Sequence, residues 1–225
     1  MRKYLPPLIL FFLLLIGWQA LALGINAAYI LPTPIQVIQK LWELREPLFM
    51  VHLPATMSVT FIGLGISVVL GLALAIAMDM HEGIRRTLYP LVIASQTIPT
   101  TAIAPLFVLW FGYSIWSKVL VTVLMTFFPI TITVYDGFQS TKRPNALPYF
   151  FSAIKMAIPI SIIGAAIGEW LGAQSGLGYF SKRMLTQLDG AGVFAPIVLL
   201  SAVAMLIVAI VGIIERIAIP WRKEL

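Results

Sequence analysis

Six long apolar stretches dominate this chain of 225 residues and restrict it to membrane architectures. A helix needs about 20 apolar residues to span about 30 Å of hydrocarbon. The predicted helices cover approximately residues 4–23, 55–78, 88–110, 116–134, 147–171 and 192–214. Only 11% of the residues are charged, against about 25% in soluble domains. The sequence therefore predicts an all-α integral membrane protein with six transmembrane helices, in a single domain of residues 1–225.

The distribution of basic residues predicts how these helices are oriented. Six spans place both termini on one side, and nine Lys and Arg residues fall there against five on the other side. Because cytoplasmic loops carry the excess of positive charge, both termini are predicted to be cytoplasmic. The net charge of +6 is explained by this orientation. No basic stripe with interleaved aromatic residues is present, so nucleic acid is not an expected partner.

Enzymatic and metal chemistry find little support in the sequence. The chain has no cysteine, and its two histidines, His52 and His81, are predicted on opposite sides of the membrane. No metal site and no catalytic residue are predicted. Ser175 precedes a glycine and would need a histidine as its base, but nothing in the sequence positions His52. The acidic residues Asp79, Asp136 and Glu215 are expected to be solvated at helix ends.

Two segments between the predicted spans are more than plain loops. Residues 34–44 carry apolar side chains at helical spacing, and Thr33 and Pro34 suit the cap and first position of a helix. This pattern predicts a short amphipathic helix on the outer surface of the bilayer or of the bundle. The link from Gly172 to Gly192 is polar and glycine-rich, and is interpreted as an extracellular lid or a partner contact.

The third predicted helix contains two prolines among hydroxyl-bearing residues. Proline removes a backbone donor, so Pro99 and Pro105 are expected to kink or break this helix within the membrane. The Gln96 amide and the hydroxyls of Thr100 and Thr101 could satisfy the freed backbone groups in a packed kink. Alternatively, they line a polar path, because interrupted helices in transporters tend to lie at the translocation site.

The fifth predicted helix carries a glycine stripe and an isolated carboxylate. Gly164, Gly168 and Gly172 recur every fourth residue, a spacing that allows close approach of another helix. Glu169 and Trp170 lie inside the stripe. An acid at membrane depth is costly and usually functional, so Glu169 is either a gate or pathway residue, or an interfacial residue paired with Lys182 or Arg183.

An ordered set of motifs resembles a known family. The motifs are Leu31-Pro-Thr-Pro, Ile98-Pro-Thr-Thr-Ala-Ile-Ala-Pro-Leu106, Trp110-Phe-Gly112, Phe128-Pro129, Tyr135-Asp-Gly137 and Gly168-Glu-Trp-Leu-Gly-Ala-Gln-Ser-Gly-Leu-Gly178. In this order they are similar to the permease subunits of bacterial binding-protein-dependent ABC importers that handle nitrate, sulfonates, taurine and pyrimidine precursors. Each motif is weak alone, and the ordered set is specific.

The resemblance implies a type I importer permease in the bacterial plasma membrane. Two permease copies, most simply a homodimer, would form the pathway, with ABC ATPase subunits on the cytoplasmic face and a substrate-binding protein outside. The ATPase subunits would bind ATP, and this chain needs no cofactor; it has no phosphate-binding glycine loop with Lys and Ser or Thr. The solute is left open between an organic anion and a pyrimidine-like heterocycle. The predicted pathway residues are Gln96, Pro99, Thr100, Thr101, Glu169, Trp170, Gln174 and Ser175.

One region departs from the family pattern. Such permeases carry a cytoplasmic loop between the fourth and fifth helices that couples them to the ATPase. Here residues 135–143 adjoin Pro144 directly, as if roughly twenty or more residues of that loop were missing between 143 and 144. The predicted remnant of the ATPase-facing region is Asp136, Gly137, Lys142, Arg143 and Pro144. Either the printed sequence omits this segment or the protein lacks it; a protein without it could be a non-transporting scaffold or a coupling-deficient permease.

Overall fold

The computed structural model describes residues 5–141 and 146–219, and all regular structure in these ranges is helical. In chain order the described helices are α1 (Leu5–Ile25), α2 (Pro34–Glu43), α3 (Arg45–Met80), α4 (Glu82–Ser95), α5 (Thr100–Phe111), α6 (Ile115–Ser140), α7 (Leu147–Gly172), α8 (Leu177–Thr186) and α9 (Gly190–Ala218). Near its start α3 contains one π-helical turn, Leu48–His52.

Five of these helices, α1, α3, α6, α7 and α9, are long and apolar enough to cross a membrane. Helices α4 and α5 pass the same test only as a pair, and they are bent by 90° at the break between them. The described chain therefore has five candidate spans, or six if the bent pair is one span.

The bend lies within the helix predicted over residues 88–110, which was expected to kink or break at Pro99 and Pro105. Pro99 is extended, with φ −63° and ψ 110°, and precedes the first residue of α5. Proline has no backbone N–H to donate, and it disfavours a helical conformation for the residue before it, Ile98. Pro105 lies inside α5 and does not end it. Of the two prolines, Pro99 therefore marks the break.

Helices α3, α6 and α7 form the centre of the fold. Ala75, Ile130, Val134, Ala153 and Ala157 come from these three helices and are buried against one another. Small and β-branched residues at these positions let the helix backbones approach closely, which is how helices associate where lipid removes the hydrophobic driving force.

Glycines allow the closest approach of α7 to its neighbours. A Cβ atom added at Gly164 would lie 2.9 Å from Cα of Thr122, and one at Gly168 would lie 2.9 Å from Cα of Lys118. Gly172 similarly faces the side chain of Val108 in α5. Two glycines thus lie where α7 crosses α6, and the third lies where α7 meets α5.

The two short helices pack on one end of the bundle. Thr33 and Gln36 form a reciprocal capping box at the start of α2. Lys40 of α2 lies 3.1 Å from Asp189, the N-cap residue of α9, and the hydrogen bond to Asp189 raises the pKa of Lys40. Helix α8, which the sequence pattern did not predict as a helix, buries Leu177, Phe180 and Met184 in a cluster with residues of α3 and α9.

An ion pair also connects α7 to α9. Nζ of Lys155 lies 2.6 Å from Oε2 of Glu215. Glu215 is 7% exposed, so the expectation that it is solvated at a helix end is wrong. The pairing lowers the cost of placing a carboxylate among apolar helices.

Candidate functional site

A cavity of about 530 Å³ lies between α5, α7 and α9. Its walls are apolar except for two hydroxyl groups and one indole, and all of its lining residues are uncharged. We call it the membrane cavity; it is lined by Thr101, Pro159, Ile162, Ile163, Ala166, Ile167, Trp170, Leu171, Ile197, Leu200, Ser201 and Ala204. Its volume is in the range of small-molecule sites, about 300–1,000 Å³.

A second space, of about 330 Å³, lies beside α8. We call it the α8 recess. Unlike the membrane cavity, it contains cations and tyrosine side chains, and its lining residues are Tyr113, Glu169, Trp170, Leu171, Gly172, Ala173, Tyr179, Lys182, Arg183 and Thr186. The two spaces share Trp170 and Leu171.

Three side chains cap the N-terminus of α8. The backbone N–H groups of Gly176, Leu177 and Gly178 donate to Nδ1 of His52 at 3.1 Å, Oγ1 of Thr56 at 2.8 Å and Oε2 of Glu169 at 2.8 Å, respectively. A helix start leaves its first N–H groups without partners in the helix. Side chains from α3 and α7 supply these partners, and we call the arrangement the α8 cap.

Glu169 is the charged member of the α8 cap and is 1% exposed. Its Oε2 atom also accepts a hydrogen bond from the Thr56 hydroxyl at 3.1 Å. The N-terminus of a helix carries partial positive charge, so α8 supplies electrostatic compensation for the buried carboxylate. Gly176 has φ +114°, and its backbone packs directly against the Glu169 carboxyl group. The carboxylate therefore holds α8 against α3 and α7.

Two lysines bind the C-terminal end of α7, close to Glu169. Nζ of Lys182 donates to the carbonyl of Trp170 at 2.7 Å, and Nζ of Lys118 donates to the carbonyls of Gly172 at 3.4 Å and Tyr113 at 3.1 Å. The last carbonyls of a helix lack partners within it and favour a nearby cation. The backbone that carries Glu169 and Trp170 is thereby fixed on both sides.

The structure brings only some of the predicted pathway residues together. Thr101 and Trp170 line the membrane cavity, where they meet Ser201 and Pro159, which the sequence reasoning missed. Glu169 is held in the α8 cap. Its hydrogen bonds go to Thr56 and Gly178, not to Lys182 or Arg183 as the alternative of an interfacial pair expected. The remaining predicted residues line neither of the two spaces. They lie at the break before α5 (Gln96, Pro99 and Thr100) and in the turn before α8 (Gln174 and Ser175).

The predicted ATPase-facing residues are only partly described. Asp136 is exposed near the end of α6, and Gly137 is buried against Tyr149 of α7. Lys142, Arg143 and Pro144 lie outside the described residues. His52, the one histidine considered as a base for Ser175, uses Nδ1 in the α8 cap, so the geometry assigns it a structural contact.

Comparison with known proteins decides the family. The model of the family described as "binding-protein-dependent transport system inner membrane component" matches residues 67–144 and 143–222. The chain belongs to this family. It is a membrane-spanning permease subunit of an ABC importer, located in the bacterial inner membrane, and it resembles transport subunits rather than enzymes.

Individual relatives cover nearly the whole permease. The formylaminopyrimidine transport permease protein ThiX of Halalkalibacterium halodurans is 49% identical over 99% of both chains. The riboflavin transport system permease protein RibX of Chloroflexus aurantiacus is 30% identical, over 94% of this chain and 88% of its own. The putative aliphatic sulfonates transport permease protein SsuC of Bacillus subtilis is 29% identical, over 92% and 84%.

Proposed function

We propose that this permease carries a neutral, flat heteroaromatic solute of the pyrimidine type through the membrane cavity. The observation that supports this most is the chemistry of the cavity wall, which offers hydroxyl groups and an indole face but no cation. An anion such as a sulfonate would lose its hydration there without a partner, which is costly in an apolar medium. A heteroaromatic ring can stack on Trp170 and bond to Thr101 and Ser201.

The relative ThiX agrees with this choice. ThiX, at 49% identity, is named for a formylaminopyrimidine. RibX, at 30%, is named for riboflavin and SsuC, at 29%, for aliphatic sulfonates, so the support comes from ThiX. The proposed path is formed by Thr101, Trp170 and Ser201, with Gln96, Pro99, Thr100, Gln174 and Ser175 at its approaches. Glu169 supports the path by holding α8, and it also lines the α8 recess.

The proposed assembly is a homodimer of this permease with two ATPase subunits on the cytoplasmic face and a binding protein outside. ATP is bound and hydrolysed by the ATPase subunits, and the permease itself needs no cofactor or metal. The proposed topology counts α4 and α5 as one broken span, which gives six crossings and puts both termini on one side, taken to be the cytoplasmic side. The excess of basic residues on that side supports the orientation. No comparison favours the non-transporting alternative.

We also propose that relatives carry a segment between the positions of Arg143 and Pro144 that this sequence lacks. The alignment with ThiX extends over 247 positions although this chain has 225 residues, so at least 22 positions hold no residue of this chain. The two family matches meet at 143 and 144. The intact mass of the purified chain tests the proposal. A mass of 24.8 kDa supports true absence, and a mass heavier by a peptide mapped after Arg143 contradicts it.

Uptake into proteoliposomes tests the proposed solute. The permease is reconstituted with its ATPase subunits and binding protein, and labelled formylaminopyrimidine and taurine are compared at equal concentration. We expect ATP-dependent accumulation of the pyrimidine and none of taurine. A Thr101→Val, Ser201→Ala double variant removes both hydroxyls with little change in volume and should raise KM for the pyrimidine. Accumulation of taurine but not of the pyrimidine would contradict the proposal.

A further inference from the structure

Two spaces of different chemistry meet at one short wall. The α8 recess contains Lys182 and Arg183, whereas the membrane cavity has no charged lining residue. Both are lined by Trp170 and Leu171, the last bulky residues of α7. A solute that passed from the charged recess to the uncharged cavity would therefore meet this pair first.

Backbone contacts hold this wall while leaving its largest side chain half-exposed. Lys182 donates to the Trp170 carbonyl. Glu169, which precedes Trp170, is bound in the α8 cap, and the carbonyl of Gly172, which follows Leu171, accepts from Lys118. The Trp170 side chain is nevertheless 42% exposed, in contrast to the 1% of Glu169. The indole thus projects from a fixed backbone and is only partly enclosed by its neighbours.

We propose that Trp170 is the gate between the α8 recess and the membrane cavity. In the closed state its indole separates the two spaces, and a change of its rotamer or a small shift of α7 opens them to each other. Large apolar side chains close pores by excluding water and solute from the constriction. The inference rests on the pathway proposed above, because it assigns a role to the residue at the entrance of that cavity.

Helix α8 is mechanically connected to this gate. Lys182 of α8 bonds to the backbone of Trp170, and the N–H of Gly178 bonds to Glu169 beside it. A displacement of α8 is therefore transmitted to the end of α7 through two charge-assisted hydrogen bonds, which are stronger than neutral ones. Lys182 and Arg183 are exposed in the described chain, so a protein partner on this side could move α8 and with it the gate.

Passive leak measures the gate without ATP or binding protein. Proteoliposomes with the assembled importer are loaded with labelled cytosine, a small neutral aminopyrimidine, and its efflux is followed. Trp170→Ala should raise efflux by about tenfold, equivalent to lowering the barrier by about 1.4 kcal/mol, and Trp170→Phe should stay near wild type. Trp116→Ala is the matched control, since Trp116 is 52% exposed and lines neither space. Equal efflux from the Trp170→Ala and Trp116→Ala importers would overturn the proposal.

A second variant keeps the test decisive if Trp170→Ala does not fold. The chain has no cysteine, so Trp170→Cys introduces a single thiol in this subunit. Efflux of cytosine through the Trp170→Cys importer should be abolished by a bulky aromatic maleimide and unaffected by a small methylating reagent. Equal effects of the two reagents would overturn the gate. The leak assay does not depend on which solute the importer transports, so the two proposals can fail separately. If the wild-type importer is tight and Trp170→Ala leaks, the gate is supported. If the same importer fails to take up the pyrimidine, the proposed solute is refuted.

Discussion

At the scale of single residues, Glu169 shows what sequence reasoning can and cannot predict. A lone carboxylate within an apolar segment is recognisable as unusual from the sequence alone. Its partners are not, because Thr56 lies 113 positions away along the chain and Gly178 belongs to a helix that the pattern did not predict. The sequence left open a gate or pathway role and an interfacial pair with Lys182 or Arg183, and the hydrogen bonds of Glu169 go to Thr56 and Gly178 instead of these two residues.

Replacing Glu169 should destabilise the permease. Glu169→Ala leaves the Gly178 N–H without its acceptor in a buried site, while the Thr56 hydroxyl keeps the His52 carbonyl as an acceptor. A lost buried partner costs about 1–3 kcal/mol. The free energy of unfolding in mixed micelles measures the effect. Glu46→Ala is the control, because Glu46 is exposed near the start of α3. An equal change for both variants would contradict the role of Glu169 in the α8 cap.

Gly176 should tolerate no side chain. Its φ of +114° disfavours any other residue, and a Cβ there would collide with the Glu169 carboxyl group. We expect Gly176→Ala to cost roughly 1–3 kcal/mol of stability. Gly17→Ala is the matched control, since Gly17 lies in α1 with no atom within 4 Å of the added Cβ. A thermal midpoint for Gly176→Ala at or above that of the control would contradict this account.

At the scale of elements, the apolar stretches locate the long helices because length and hydropathy are local properties. The 90° bend between α4 and α5 was not predictable to that degree. Pro99 predicts a break, but the angle depends on what α5 packs against. Helix α8 was missed because its first N–H groups are capped by α3 and α7 rather than by neighbouring residues, and a glycine-rich polar link reads locally as a loop.

The packing of α6 against α7 gives a prediction at this scale. Gly168→Ala places a methyl group 2.9 Å from Cα of Lys118, so the helices must separate, and overpacking of this kind costs about 1–3 kcal/mol. Gly65→Ala on α3 meets no atom within 4 Å and is the control. Unfolding in increasing denaturing detergent should separate the two variants. If Gly168→Ala unfolds at the same detergent fraction as Gly65→Ala, α7 does not depend on this close approach.

At the scale of the whole molecule, the order of motifs along the chain predicted the family, and the family comparison confirms it. The membrane cavity could not be predicted in the same way. Its walls come from α5, α7 and α9, and Thr101 and Ser201 meet there although they are 100 positions apart in the sequence. In the proposed function, transport depends on that convergence, which only the fold creates.

Accessibility of position 101 to a water-soluble thiol reagent tests the central claim most directly. The chain has no cysteine, so Thr101→Cys and the control Val69→Cys, on an exposed face of α3, each carry one thiol in the permease. In the assembled importer, a membrane-impermeant maleimide should label position 101 and leave position 69 unlabelled. The rate of labelling at position 101 should differ between the nucleotide-free and the ATP-vanadate-trapped states. Labelling of position 101 no faster than position 69 in either state would mean that the membrane cavity is not part of the transport pathway.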